Sequence, residues 1–444
     1  MRGDVFLGAA DVFQRVHDGD MRAEGRAGNQ TAFVMAIDGR IDEAELRARV
    51  DRATDRLPEI GARLAGFLPW RARWSIGGQP PPPVRVHEAR GRSLDEIAAG
   101  LLDEPVATGG AVAVDLARGA SSDGVVVRAH HALADAKALD RLVAWLGAGE
   151  GPDPPPPPAE RFAASPIEGL SRSRRLELMR AYNDRVIALG TDPILSPASP
   201  YAGRPSRRGP GRTRALRVRL DEDATRAFDA RVRAEARHAE TAVILHAAAR
   251  AVDDLLTRRG LHPTRHVVPV PASLDPKSGA TRLLGNHVTL LMLALDRADL
   301  ADRATALASL ADQQRAIVRG RLDLGALAAL DFARWLPRAI YRRVERGPMR
   351  GEIGSFVLSN PGAVGVATFL GRRVVDAHPL PSVVSSPGLQ VIASRHGGRL
   401  SIALGFLDTV LEPPEAERLR DVLCDELVHA SPTAAIAARA PDHD

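Results

Sequence analysis

The stretch that decides the reading is Val125 to Leu146, VVVRAHHALADAKALDRLVAWL. It opens on three consecutive valines, as a buried strand does. It closes on Leu139, Leu142, Val143 and Leu146, which share one face of a helix. Between them lie His130, His131 and, four residues after the second histidine, Asp135. Side chains at a strand-to-helix junction can project into a cleft while rigid elements hold their backbone. This pattern predicts a pocket built over His131.

Composition narrows the possibilities. At 444 residues the chain is long enough for two domains, and 45% hydrophobic with 26% charged residues is the balance of a folded protein. The net charge of +5 is spread thinly, and Lys137 and Lys277 are the only lysines among 60 basic residues. Arginine this dominant reflects base composition rather than a nucleic-acid surface, and 4% aromatics leaves few stacking platforms for single strands. One cysteine, Cys424, excludes an internal disulfide and a cysteine-rich metal site, and its amphipathic surroundings make it a core residue. His246, His287, His378 and His396 have no ligand-like spacing, so no metal is expected. The N-terminus lacks a signal-peptide h-region, and no run approaches the ~18 apolar residues of a membrane span. A cytoplasmic protein is expected.

Outward from the central stretch, residues 1–30 predict a short helix and a loop. Ala32–Ile37 reads as a strand, and Asp42 caps a helix that Leu57-Pro58 ends. Trp70–Ile76 and Val84–His87 read as strands, Leu94–Leu102 as a helix. Ala111–Leu116 and Gly124–Ala129 form a strand pair. Gly147–Pro158, with five prolines at its end, is a stiff connector. Leu170–Leu189 reads as a helix, followed by a second Pro-rich link, Pro193–Pro210. Strands are predicted at 216–220, 266–270, 288–295, 356–358, 372–375, 389–393 and 400–406. Helices are predicted near 223–237, 241–257, 301–320, 326–344 and 414–429. Strand–helix units on both sides of the Pro-rich links imply an α/β chain of two lobes with a cleft between them. The boundaries are an N-terminal lobe at 1–170, a linker at 171–210, a C-terminal lobe at 211–430 and a loose tail at 431–444.

The His130-His131-xxx-Asp135 sequence resembles the HHxxxDG motif of the condensation-domain and CoA-dependent acyltransferase superfamily. That superfamily includes polyketide-associated acyltransferases and wax ester synthase/diacylglycerol acyltransferases. Further phrases match in order. Ile37–Leu64 (IDGRIDEAELRARVDRATDRLPEIGARL) is similar to the family's opening strand–helix. Leu284-Gly285-Asn286 after HVVPVPASL is similar to its "vP…lGN" segment. Ser359-Asn360-Pro361-Gly362 resembles its "SN-x-G" strand end, and Gly388–Leu404 its terminal hairpin. The resemblance covers nearly the whole chain.

It implies two chloramphenicol-acetyltransferase-like lobes, each a mixed sheet with helices, and a tunnel at their interface. An acyl thioester, CoA or acyl-phosphopantetheine carrier protein, would enter from one face and a small-molecule acceptor from the other, with no tightly bound cofactor and no nucleic acid. A crossover around Gly362–Pro387 would reach back to the first lobe. His131 would act as general base, or alternatively by electrostatic positioning. His130 would fix the loop, and Asp135 would hold it through an ion pair rather than form a triad. Asn286, Ser359 and Asn360 would donate hydrogen bonds near the tunnel or brace its strands. Two departures stand out: the motif's glycine is Ala136, and Asp275 occupies the place of an arginine that pairs with the aspartate, with Arg282 as the substitute. Arg204, Arg207, Arg208, Arg212 and Arg214 would meet CoA phosphates or an acidic carrier, or form a solvated linker. Three activities fit: a stand-alone acyltransferase forming an ester or amide, a wax ester or diacylglycerol acyltransferase, and a non-catalytic carrier-protein-binding relative. No membrane-binding amphipathic helix is evident, which disfavours the second.

Overall fold

A computed structural model describes residues 3–106, 110–148, 155, 161–162, 165–199, 209–236, 239–275 and 282–428. The prolines at 156–158, Arg204, Arg207, Arg208, Lys277 and the tail at 431–444 lie outside the described residues.

The first half runs β1 (Gly3–Phe6), α1 (Ala9–Ala23), β2 (Gln30–Ile37), α2 (Glu43–Arg56), β3 (Arg63–Ala65), β4 (Arg73–Ile76), β5 (Val84–Glu88), α3 (Leu94–Leu101), β6 (Val112–Arg118), β7 (Asp123–His130) and α4 (Ala136–Gly147). Helix α5 (Arg172–Leu189) follows. Next come β8 (Thr213–Arg219), α6 (Glu222–Ala236), α7 (Glu240–Arg258), β9 (Arg265–Ser273), β10 (Val288–Asp296), α8 (Arg303–Gly320), α9 (Leu322–Ala333) and α10 (Arg338–Arg346). The chain closes on β11 (Val357–Ala363), β12 (Thr368–Phe369), β13 (Arg372–Pro381), β14 (Leu389–His396), β15 (Arg399–Leu407) and α11 (Pro413–Val428).

A six-stranded mixed sheet, order β12-β13-β2-β7-β6-β5, forms the first lobe. Its central strands β2 and β7 are buried on both faces, which explains their unbroken apolar runs. A four-stranded sheet, β11-β14-β15-β8, and the β9–β10 pair form the second. Each lobe has its own core: Phe33, Trp74, Leu139 and Leu142 in the first, Val243, Phe356, Leu404 and Leu419 in the second. Asp42 caps α2 by accepting from the Ala44 amide at 2.8 Å, as its position predicts.

Strand β13 crosses from the second half of the chain into the first lobe. It pairs antiparallel with β2, from Val374 opposite Ile37 to Pro381 opposite Thr31. Arg217 on β8 ties the lobes on that side, reaching Asp95 at 2.9 Å and Asp376 at 2.6 Å. Leu380, Val34, Ile392 and Ala403 bury a small apolar cluster across the same boundary.

Several readings needed correction. The helix expected over 326–344 is two helices, α9 and α10, because Pro337 cannot donate a backbone hydrogen bond and disfavours helix in the residue before it. Residues 1–30 contain a strand as well as a helix. The strand, β1, is a largely exposed edge of four residues whose partner β4 lies about 70 residues on, so local pattern carries no sign of it. Segment 171–210, read as a linker, contains α5, which packs against α9 through Leu178, Leu324, Leu327 and Ala328.

Candidate active site

Strand β7 delivers His130 and His131 to its end, and α4 starts five residues after His131. The turn is fixed by backbone pairing. His131 N donates to Asn29 O at 2.9 Å, and Leu133 N to His130 O at 2.7 Å. Ala134 bridges to Gly285 of the second lobe, so the motif sits on the seam.

His130 is buried and faces inward. Its Nδ1 accepts from the Ala132 amide at 3.1 Å, its Nε2 lies 3.3 Å from Asp18, and its ring stands edge-on to Trp74. Burial alone would raise the Asp18 carboxyl, yet His130 and Arg22 hold it well below the ordinary carboxylate range. This imidazole is therefore spent on holding the turn.

His131 faces the other way. It lines a cavity of about 340 Å³ between the lobes, with walls from α1 (Phe13), β9 (Val270), β10 (Leu290) and β13 (Pro379). Its Nδ1 is buried beside Asn286, and the residue forms part of the cavity wall. Burial lowers the pKa of the ring; its own backbone carbonyl and the Asp135 charge oppose that without cancelling it. The lowering favours the uncharged ring, the form whose lone pair can accept a proton.

Asp135 is buried and fully engaged. One carboxylate oxygen caps α4 by accepting from Ala138 N at 2.9 Å; the other accepts from Arg282 Nη2 at 2.7 Å and His287 N at 2.9 Å. Arg282 thus takes the pairing role that Asp275 could not. Asp275 joins the far side of Arg282 at 2.8 Å and also meets Arg141 and His287. Burial would raise the Asp275 carboxyl, but these partners hold it well below the ordinary range. Ala136 is the first helical residue of α4 and has no positive φ, so the turn needs no glycine there.

Asn286 donates from Nδ2 to the His131 carbonyl at 2.8 Å and to Asp11 at 2.9 Å. It braces the backbone of His131 rather than reaching into the cavity. Ser359 lines the cavity, as does Asn360, whose amide group donates to Thr241 and Glu240. Arg212, just before β8, and Arg214, near its start, meet Asp408, and neither is among the residues lining the cavity. Cys424 is half-buried on α11, and burial pushes its thiol up to about 11. Among the described residues no group of His, Cys, Asp or Glu is arranged to hold a metal ion.

The sequence reading missed Asp11, Asp18 and Phe13. Asp11 is buried and accepts from both the backbone and side-chain amides of Asn286; burial raises its pKa to about 6, although those hydrogen bonds lower it. Its partner lies 275 residues away, so no local pattern marks it.

No protein-family model matches the sequence, and no curated protein matches it in sequence. Solved structures do match in shape. The first condensation domain of the CDA synthetase superposes with a TM-score of 0.69 at 15% identity, covering 96% of this chain and 97% of that one. The TRI3 trichothecene 15-O-acetyltransferase from Fusarium sporotrichioides gives 0.68 at 11%, covering 96% and 95%. The chain has the fold of the condensation-domain and CoA-dependent acyltransferase superfamily. The wax ester synthase/diacylglycerol acyltransferase from Marinobacter aquaeolei VT8 shares it, with a TM-score of 0.58 at 13% identity over 95% and 98%. Within this condensation fold the two-lobe, mixed-sheet arrangement anticipated from the sequence is present, and its seam carries His131.

Proposed function

We propose that the protein is an acyltransferase that moves an acyl group from a CoA or carrier-protein thioester to a hydroxyl or amine of a small molecule. The observation that carries this reading is a half-buried imidazole, His131, in the wall of the cavity between the lobes, with a pKa that burial lowers. Nε2 accepts the proton of the acceptor O–H or N–H as its heavy atom attacks the thioester carbonyl. The tetrahedral intermediate then expels the thiolate, which takes the proton back from the imidazolium, leaving an ester or amide and a free thiol. Electrostatic positioning of the acceptor by the same ring is the variant of this mechanism. We place the activity in the cytoplasm, where such thioesters are available.

The test is mass spectrometry of products formed from a panel of acyl-CoAs and acyl carrier proteins with hydroxyl and amine acceptors. His131→Ala abolishes product while the protein stays folded; an unimpaired variant overturns the assignment. The Asp135–Arg282 pair and the cavity reaching His131 weigh against a non-catalytic carrier-binding role.

One surface favours lipid acceptors as a second reading. No described helix is long and apolar enough to cross a membrane. Yet α10 and the residues before it expose Trp335, Ile340 and Val344 beside Arg343, an amphipathic face that the sequence did not reveal. Incubation with long-chain acyl-CoA and fatty alcohol or diacylglycerol decides it.

A further inference from the structure

Lys137 stands in the first turn of α4, two residues after the capping Asp135, and lines the same cavity as His131. Three observations set it apart. It is one of two lysines in a chain with 58 arginines. Among the described residues no carboxylate pairs with it, whereas Arg282, Arg141 and Asp135 next to it are bound into one network. It also sits at the positive end of its helix, where a cation is disfavoured and an acidic residue would be stabilising. The cavity it lines is mostly apolar, with Val270, Leu290, Leu293 and Ile392 in its wall. An ammonium in such a wall, without a counter-ion, attracts an anionic group more strongly than it would in open water.

We propose that Lys137 selects a carboxylate-bearing substrate, its ammonium pairing with that carboxylate inside the cavity between the lobes. The inference rests on the acyltransferase reading of the cavity and names the substrate class it takes. The carboxylate could belong to the acyl chain of the donor or to the acceptor, and the test separates them.

Isothermal titration of the full chain compares succinyl-CoA with butyryl-CoA for the donor, and 6-hydroxyhexanoate with 1,6-hexanediol for the acceptor. Wild type prefers the anionic member of one pair by tenfold or more, about 1.4 kcal/mol. Lys137→Met abolishes the preference and leaves the thermal midpoint at or above that of wild type. His131→Ala keeps the preference while losing turnover. Equal binding within both pairs overturns the proposal, as does a preference that survives Lys137→Met. An equal weakening of CoA itself in that variant also overturns it, assigning the ammonium to the donor's phosphates. A fall in midpoint assigns Lys137 a structural role. If His131→Ala turns over normally while the charge preference persists, the acyltransferase reading fails and the anion site stands.

Discussion

The ion pair between Asp135 and Arg282 gives the sharpest test of how the site is held. The charges are 2.7 Å apart with side chains only 6% and 3% exposed, and they join the two lobes directly behind the His131 turn. Removing one member of such a pair strands the other charge in the interior, at a cost of about 3–5 kcal/mol. Asp135→Asn is the mildest form, because its remaining oxygen can still cap α4 through Ala138 N. Arg282→Met keeps the volume but strands Asp135, while Asp275 retains Arg141 and His287. Each single variant should lower stability in urea by about 3 kcal/mol or more, and the double variant should cost less than their sum, with a coupling of about 1–3 kcal/mol. Urea unfolding followed by circular dichroism measures the cycle; initial rates at low temperature, where all four proteins remain folded, accompany it. A positioning Asp135 predicts that turnover per folded molecule falls modestly. Additive stabilities within about 0.5 kcal/mol would refute the coupling. A rate loss of about a thousandfold or more in Asp135→Asn, with stability unchanged, would refute the structural role and make Asp135 catalytic.

Three further expectations follow from the same geometry. The pH profile of kcat/KM should hold its plateau below pH ~6.5 and decline only as pH falls through the depressed pKa of His131, since the neutral ring is the base; a break above that value contradicts the reading. Asp11, raised from 3.8 to about 6, keeps its proton when folded over a range where the unfolded chain has lost it, so its contribution to stability is full below pH ~4 and is lost as pH rises through 6. The amount is about 3 kcal/mol, and the difference in urea midpoint between wild type and Asp11→Asn should narrow or reverse from pH 4 to pH 7; a constant difference rejects it. Asn286→Ala frees the His131 carbonyl and should reduce kcat by about tenfold or more with KM little changed, whereas an effect on KM alone would mean that Asn286 touches substrate.

The sequence by itself determined most elements and put the candidate site at the turn between β7 and α4. Alternation, apolar faces and caps are local: the buried runs of β2 and β7, the helix after Asp42 and the strand–turn–helix around His131 all follow from residues within a few positions of one another. The ordered phrases resembling a known superfamily then supplied the architecture that local pattern could not. Tertiary structure alone decided which groups meet. Phe13, Pro379 and Leu290 converge on His131 from three distant segments, Arg282 reaches Asp135 across 147 residues, and β13 inserts beside β2 from the far half of the chain. These contacts depend on how two cores close against each other and on where buried charges must find partners. Such pairings leave no mark in local periodicity, because any arginine or aspartate on a solvated face reads the same until burial forces it to choose.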